Sequence, residues 1–273
     1  MTADFVSLPD LAARISDGDA LALGGSFLHR GPFALVRELI RQGRTDLEII
    51  KQSPGYDIDA LCRAGRVAKA RCGIVAMEGN FGLAPWYRKA IENKATELEE
   101  HACASLTAGL RAAAFGVPFQ PIGGLDGSAL PDLNGWKRIE DPYGSGRGAY
   151  VIPAITPDFA VVHTPEVSPN GDVRVLGTPH WDRIMTRAAK KVLVVAERVE
   201  PLETFQERPE MTLVPHFMVD AVAVVPHGAW PGSCHPDYAI DYPAVERYLT
   251  DTDEAFAAHL AEAPETREEA VRG

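Results

Sequence analysis

Residues 20–32 read Ala20-Leu21-Ala22-Leu23-Gly24-Gly25-Ser26-Phe27-Leu28-His29-Arg30-Gly31-Pro32. The apolar run Ala20–Leu23 predicts a buried strand, and the glycines after it predict a turn in which backbone approaches its surroundings closely. Phe33, Val36, Leu39 and Ile40 then share one face of a helix. Strand, glycine loop and helix together open a βαβ unit. Just upstream, Ser7-Leu8-Pro9-Asp10 with Leu11, Ala12 and Ile15 reads as a capped helix with proline in its first turn, ending at Asp17-Gly18-Asp19.

The alternation continues downstream. Strands are expected near 47–50 and 73–77, and helices near 58–64 and 86–93. A further helix carries Leu106, Leu110, Ala113, Ala114 and Val117 at i, i+4, i+7, i+8 and i+11, and is ended by Gly116 and Pro118. Beyond it, 149–152 and 159–163 read as strands, Pro169-Asn170-Gly171-Asp172 as a hairpin turn into 173–176, 181–189 as a helix, and 192–196 and 219–225 as apolar strands. Regular exchange of the two periods predicts an α/β fold: an open, mostly parallel sheet flanked by helices. No internal repeat or domain linker interrupts it, so residues 1–262 are expected to form a single domain, with a mobile tail over 263–273. The glycine-rich stretch 122–148 is too long for an ordinary connection and is expected to be a functional loop or lid.

The chain has 273 residues, 46% hydrophobic and 24% charged, enough for one substantial core. Its net charge of −11, with basic residues scattered singly, argues against nucleic acid as a partner. Cys62, Cys72, Cys103 and Cys234 lie far apart with no C-x-x-C pair, fitting neither a disulfide scaffold nor a zinc site. They read as reduced thiols in a cytoplasm. The first residues lack a signal-peptide pattern, and no run approaches the roughly 20 apolar residues of a membrane span.

Two stretches carry candidate chemistry. In the first, Glu99-Glu100-His101 stands where a strand-like run turns into a helix, so either carboxylate is a candidate acid, base or nucleophile. The competing reading makes them helix-start charges favoured by the macrodipole. In the second, N–H groups at Gly24 and Gly25 are placed to hold an oxyanion or phosphate, with His29 as a donor in the same pocket. Against this stand a plain tight turn and a structural histidine. The spacing is not G-x-G-x-x-G, since Phe27 and His29 interrupt it. Gly123-Gly124-Leu125-Asp126-Gly127-Ser128 and residues 143–148 lack a Walker lysine and fit a ligand-covering region or simple turns. Glu78 ends an apolar run but has no partner visible in sequence, which favours a turn role. Cys103 and His101 are too close in sequence to face each other as a pair. Neither H-E-x-x-H nor G-x-S-x-G occurs, and no metal is expected.

In order and spacing, these pieces resemble the alpha (A) subunits of the family I CoA-transferases, and within them the glutaconate CoA-transferase branch. The matching stretches are Asp17-Gly18-Asp19, Gly24–Phe33, Glu99-Glu100-His101 running to Gly116-Val117-Pro118-Phe119, and Leu125-Asp126-Gly127-Ser128. Further on they are Asp141-Pro142-Tyr143, residues 151–158, Ala196-Glu197-Arg198-Val199, and Val219-Asp220-Ala221 with residues 226–231. The resemblance implies the CoA-transferase fold and a partner from the beta (B) branch of the family, in a heterodimer or heterotetramer. It also implies a coenzyme A thioester as substrate, a carboxylate as co-substrate, and no permanently bound cofactor. The nucleophilic glutamate would lie on the beta partner. This chain would supply acyl-CoA-binding residues: Gly24, Gly25, Ser26, Phe27, His29, Gly124, Gly127 and Ser128. A second branch with the same pattern resembles ring-opening hydrolases of steroid catabolism, in which the acid/base glutamate of the alpha chain matches Glu100. A third decarboxylates glutaconyl-CoA-like substrates. Gly123 and Ala129 replace an Arg and an Asp of the glutaconate branch, which puts recognition of a dicarboxylate's free carboxyl in question.

Overall fold

The computed structural model describes residues 2–261. The expected mobile tail, 263–273, lies outside the described residues.

The strands, in chain order, are β1 Asp4–Phe5, β2 Ala20–Leu23, β3 Leu47–Lys51, β4 Val67–Cys72, β5 Glu97–Glu100, β6 Phe119–Ile122, β7 Lys137–Glu140, β8 Gly148–Pro153, β9 Phe159–Val167, β10 Val173–Arg174, β11 Lys191–Val199, β12 Thr212–Val214 and β13 Ala221–Val224. Ten form one sheet. Its parallel body runs β1-β13-β11-β9-β2-β3-β4-β5, with β10 antiparallel to β9 and β12. The chain walks outward through β2, β3, β4 and β5, then returns to add β9, β11 and β13 on the other side of β2. The direction of winding therefore reverses between β2 and β9, and at such a switch the loops diverge and leave a crevice at the carboxyl ends of the strands.

Both faces of the sheet are covered, which is why its central strands are continuous apolar runs. Leu21, Leu23, Ile49, Leu193 and Val195 pack on one side against the helices Leu8–Ala13, Phe33–Arg41, Tyr56–Arg63 and Tyr242–Thr250. Ala22, Ile50, Val162, Val192 and Val194 pack on the other side with Leu106 and Leu110 of the helix Cys103–Ala114 and Met185 of the helix Asp182–Ala188. The expected cap at Ser7 is present, its side chain accepting the N–H of Asp10.

One expectation is corrected and one is refined. The strand expected over 73–77 is instead β4, six residues earlier in its start. Val67-Ala68-Lys69-Ala70-Arg71-Cys72 alternates, and Lys69 and Arg71 pair with carboxylates on one face while Ala70 and Cys72 enter the core. The more apolar 73–77 run lies past the sheet edge, where Ile74 is 57% exposed. The stretch 122–148, expected as a loop or lid, carries secondary structure of its own. It contains a short helix, Leu130–Asn134, and β7, which with β6 and β8 makes a small antiparallel sheet. This flap has its own core of Leu125, Trp136 and Ile152 against Ala108. Among the described residues, no helix is long and apolar enough to cross a membrane.

Candidate functional site

The glycine loop leaves β2 at the switch point and is clamped between two buried ion pairs. Beneath it, Lys51 at the end of β3 donates to the carbonyl of Gly24 (2.7 Å) and to Asp57 (2.5 Å), with neither side chain exposed. The second oxygen of Asp57 accepts the N–H groups of Gly55 and Ile58. Beside the loop, Arg30 donates to Asp182 (2.7 Å) and to the carbonyls of His163 and Thr178, while Asp182 also accepts the N–H of Gly25. Each buried charge is thus paired and hydrogen-bonded, the condition under which burial is tolerated.

The turn needs its glycine. Gly25 has φ +73°, and a Cβ there would stand 2.3 Å from the carbonyl oxygen of His29. Most loop N–H groups are spent inside the fold: Gly24 to Val161, Gly25 to Asp182, Ser26 and His29 to each other's carbonyls, Phe27 to Ser53, and Arg30 to Ser233. The N–H of Leu28 reaches only Glu78, at 3.4 Å. What the loop offers to a ligand is therefore mainly side chains: the half-buried Ser26 and Phe27 and the exposed His29.

His29 is the best-positioned of these. Its Nδ1 lies 2.6 Å from Ser233 Oγ, and its Nε2 lies 3.5 Å from Glu78 Oε1. Sequence reasoning missed both partners. Ser233 is 204 positions away, and Glu78 meets the ring only because its backbone turns left-handed, at φ +61°. His180 stands close by, and burial first, then the charge of Arg30, holds its pKa down to about 4.

Glu100 ends β5 at the same carboxyl edge of the sheet. It is separated from the glycine loop by β3 and β4, roughly 14 Å at about 4.8 Å per strand. Its side chain is exposed and makes no hydrogen bond or ion pair among the described residues; only its carbonyl is used, by Asn134. The alternation of β5 puts it on the face of Cys72, whose thiol is pushed up to about 11 by burial and which also contacts Tyr87. A mostly apolar cavity of about 170 Å³ lies between this strand and the helix Pro85–Glu92, its lining including Val75, Tyr87, Ile91 and Leu98 together with the charged Arg88 and Glu92, but not Glu100.

Glu99 points the other way. It binds Lys69 (2.9 Å), Arg71 (3.3 Å) and the Nε2 of buried His101 (3.1 Å). Burial would raise its pKa, but these three partners win and draw it down to about 2. Neither carboxylate caps the following helix, which starts at Cys103 after an uncapped Ala102. His101 is held by Glu99 and Ser105 and packs on Trp136, away from any pairing with the exposed Cys103.

Gly124, Gly127 and Ser128 are exposed in the turn after β6. They belong to the flap, which meets the Glu100 side of the crevice through Asn134 and Trp136, and not to the glycine loop. Ser128 Oγ accepts the N–H of Leu130.

Behind the glycine loop, His163, Glu197 and Cys234 each bring a possible ligand atom within 4.8 Å of the others, the one such group among the described residues. Its hydrogen bonds oppose use as a metal cage. Glu197 already contacts His163 and accepts from the N–H groups of His227 and Gly228 and the hydroxyl of Tyr238. Burial raises the Cys234 thiol well above its ordinary range, away from the thiolate a metal requires. The group is a hydrogen-bond hub that anchors the 227–238 segment, and with it Ser233.

The chain is similar to known proteins over most of its length. The sequence model of the family described as "Coenzyme A transferase" matches residues 6–224. The A subunit of glutaconate CoA-transferase from Acidaminococcus fermentans is 31% identical, over 94% of this chain and 86% of its own. The crystal structure of glutaconate coenzyme A-transferase from that organism superposes with a TM-score of 0.88, at 30% identity, over 95% of this chain and 88% of that one. The cholesterol ring-cleaving hydrolase IpdA subunit of Mycobacterium tuberculosis is 30% identical, over 96% of this chain and 88% of its own. The decarboxylase AibA/AibB, solved as a cysteine-to-serine variant, matches at 31% identity and a TM-score of 0.86, over 95% of this chain and 97% of that one.

Proposed function

The chain belongs to the coenzyme A transferase family, and on that premise we propose that it works as the alpha subunit of a heteromeric enzyme moving coenzyme A between carboxylic acids. The observation that carries this reading is the superposition of nearly the whole chain on glutaconate coenzyme A-transferase. In this reading a beta subunit of the same family closes the crevice and supplies the nucleophilic glutamate. This chain forms part of the acyl-CoA site through Ser26, Phe27 and His29 of the glycine loop and through the flap residues Gly124, Gly127 and Ser128. Four free cysteines suit a reducing, cytoplasmic setting.

One observation favours a second reading. Glu100 is an exposed carboxylate without an ionic partner among the described residues, at the carboxyl end of the edge strand β5. That is where an acid/base toward an acyl-CoA would act, as in a hydrolase or decarboxylase of this fold. Closure of the crevice by the beta subunit would take the carboxylate out of bulk water.

The co-expressed alpha and beta subunits, assayed against a panel of acyl-CoAs with and without acceptor carboxylates, separate the two. Transfer that requires an acceptor supports the first reading. Thiol release or carbon dioxide release without one supports the second, and Glu100→Gln should then lower kcat by about 10²-fold or more. Unchanged turnover in that variant would remove Glu100 from the chemistry.

A further inference from the structure

Neither reading uses the contact between His29, Ser233 and Glu78. The loop that carries His29 is held on both sides by buried ion pairs. Segment 231–234 is tied to it by backbone bonds from Arg30 to Ser233 and from Ser233 to Leu28, and by Gly232, where a Cβ would fall 2.0 Å from the Leu28 carbonyl. The imidazole is therefore fixed in place although its side chain is 49% exposed. Its two nitrogens are not equivalent. Nδ1 is taken by Ser233 Oγ at 2.6 Å, whereas Nε2 faces the Glu78 carboxylate at 3.5 Å, beyond a hydrogen bond, and is left able to bond a third group.

A positioned imidazole with one nitrogen anchored, a carboxylate near the other and access to a crevice is the arrangement of an acid/base group. We propose that His29 is a second acid/base residue of this site, able to activate water against the thioester of a bound acyl-CoA. Ser233 positions the ring and Glu78 stabilises its protonated form. The proposal rests on the acyl-CoA reading above, but it differs from the Glu100 reading in residue and in place, because the two groups are about three strands apart.

The step balances without another reactant. Water oxygen bonds to the thioester carbon as its proton passes to Nε2, and the carbonyl electron pair moves onto oxygen. When that pair returns, the carbon–sulfur bond breaks and the departing thiolate takes the proton back from the imidazolium. The products are a carboxylic acid and free coenzyme A. Carboxylate-to-carboxylate transfer has no such proton to move, so the imidazole would govern leakage to water.

The charged and titratable groups that reach the ring are Glu78, at 3.5 Å, and His180, with Ser233 as the neutral anchor. The test uses the co-expressed complex of both subunits. Thiol release from an acyl-CoA in the absence of acceptor is expected to fall about 10²-fold or more in His29→Ala and to recover in part with added imidazole. Glu78→Gln should lower kcat for the same thiol release with little change in KM, because the imidazolium formed in the step loses its carboxylate, and Glu78→Asp should restore part of it. Ser233→Ala should lower kcat with little change in KM. Wild-type thiol release in His29→Ala, or unchanged kcat in Glu78→Gln, overturns the proposal.

A binding measurement separates its failure from that of the underlying reading. An unreactive S-alkyl coenzyme A thioether should bind the complex and shift the NMR signal of the His29 ring, identified by its loss in His29→Ala. Binding with no shift overturns the role of His29 alone. Absence of binding overturns the acyl-CoA reading and this proposal with it.

Discussion

Glu99 and Glu100 are adjacent in sequence and lie on opposite faces of one edge strand. The first is locked to Lys69, Arg71 and His101, and the second stands opposite Cys72 with its carboxylate unpaired among the described residues. Two chemically identical side chains thereby acquire separate roles, one structural and one available for chemistry.

The structural role has a pH signature. The folded-state pKa of Glu99 is depressed to about 2, so its contribution to stability is present above the unfolded value near 4.3 and is lost as pH falls through the folded value. Glu99→Gln should cost on the order of 2 kcal/mol at neutral pH. It should also flatten the stability curve between roughly pH 4.5 and 2, measured by urea denaturation across that range. An acid limb equal to that of the wild type would show that the ion-pair network does not stabilise the fold.

Lys51 and Asp57 form a fully buried pair that also holds the Gly24 carbonyl. Lys51→Met leaves an uncompensated buried carboxylate and should destabilise the chain by about 3–5 kcal/mol. Lys51→Met combined with Asp57→Asn removes the stranded charge and should cost clearly less. Denaturant midpoints of the three proteins decide it, and a double variant no better than the single one would contradict the charge argument.

At Gly25, alanine has to adopt φ +73° and to place its Cβ against the His29 carbonyl. Gly25→Ala should lose more than about 1 kcal/mol. It should also lower kcat of the assembled enzyme, because the same displacement carries His29 out of register with Ser233. Calorimetry of the variant beside a kinetic assay tests both halves.

Glu197 serves several buried donors at once, and burial is outweighed by His163 in keeping its pKa below the ordinary value. Glu197→Ala leaves the N–H groups of His227 and Gly228 and the Tyr238 hydroxyl without their acceptor. A loss of about 3 kcal/mol or more is expected, since each unsatisfied buried donor costs about 1–3 kcal/mol. Added zinc should not raise the melting temperature of the native protein, because the carboxylate oxygens are already engaged; a saturable rise would reassign the hub as a metal site.

Much of the architecture was legible in the chain itself. Ala20–Leu23 was read with its observed bounds, and 192–196 falls inside β11, because a strand buried on both faces has to be apolar throughout. The Asn170-Gly171 hairpin declared itself through turn chemistry. β4 was missed because its alternate residues are Lys69 and Arg71, whose suitability for a strand depends on carboxylates in β3 and β5 that only pairing brings alongside. Of the flap, β8 is legible as the expected strand over 149–152, whereas β7 is the polar Lys137-Arg138-Ile139-Glu140 and β6 holds Pro121, and the core that joins them is the small cluster around Trp136.

The chemistry divides along the same line. Local sequence determined the βαβ character, the glycine turn and the presence of a paired carboxylate motif, because periodicity, φ restrictions and turn preferences act within a few residues. It did not determine which glutamate is free, what faces His29, or that the glycine loop spends most of its N–H groups on distant segments of the fold. Those outcomes come from strand register, which sends Glu99 and Glu100 to opposite faces, and from the packing that sets Ser233 and Glu78 beside a ring remote from both in sequence. Contacts between distant segments have no local signature, so only the folded chain decides them.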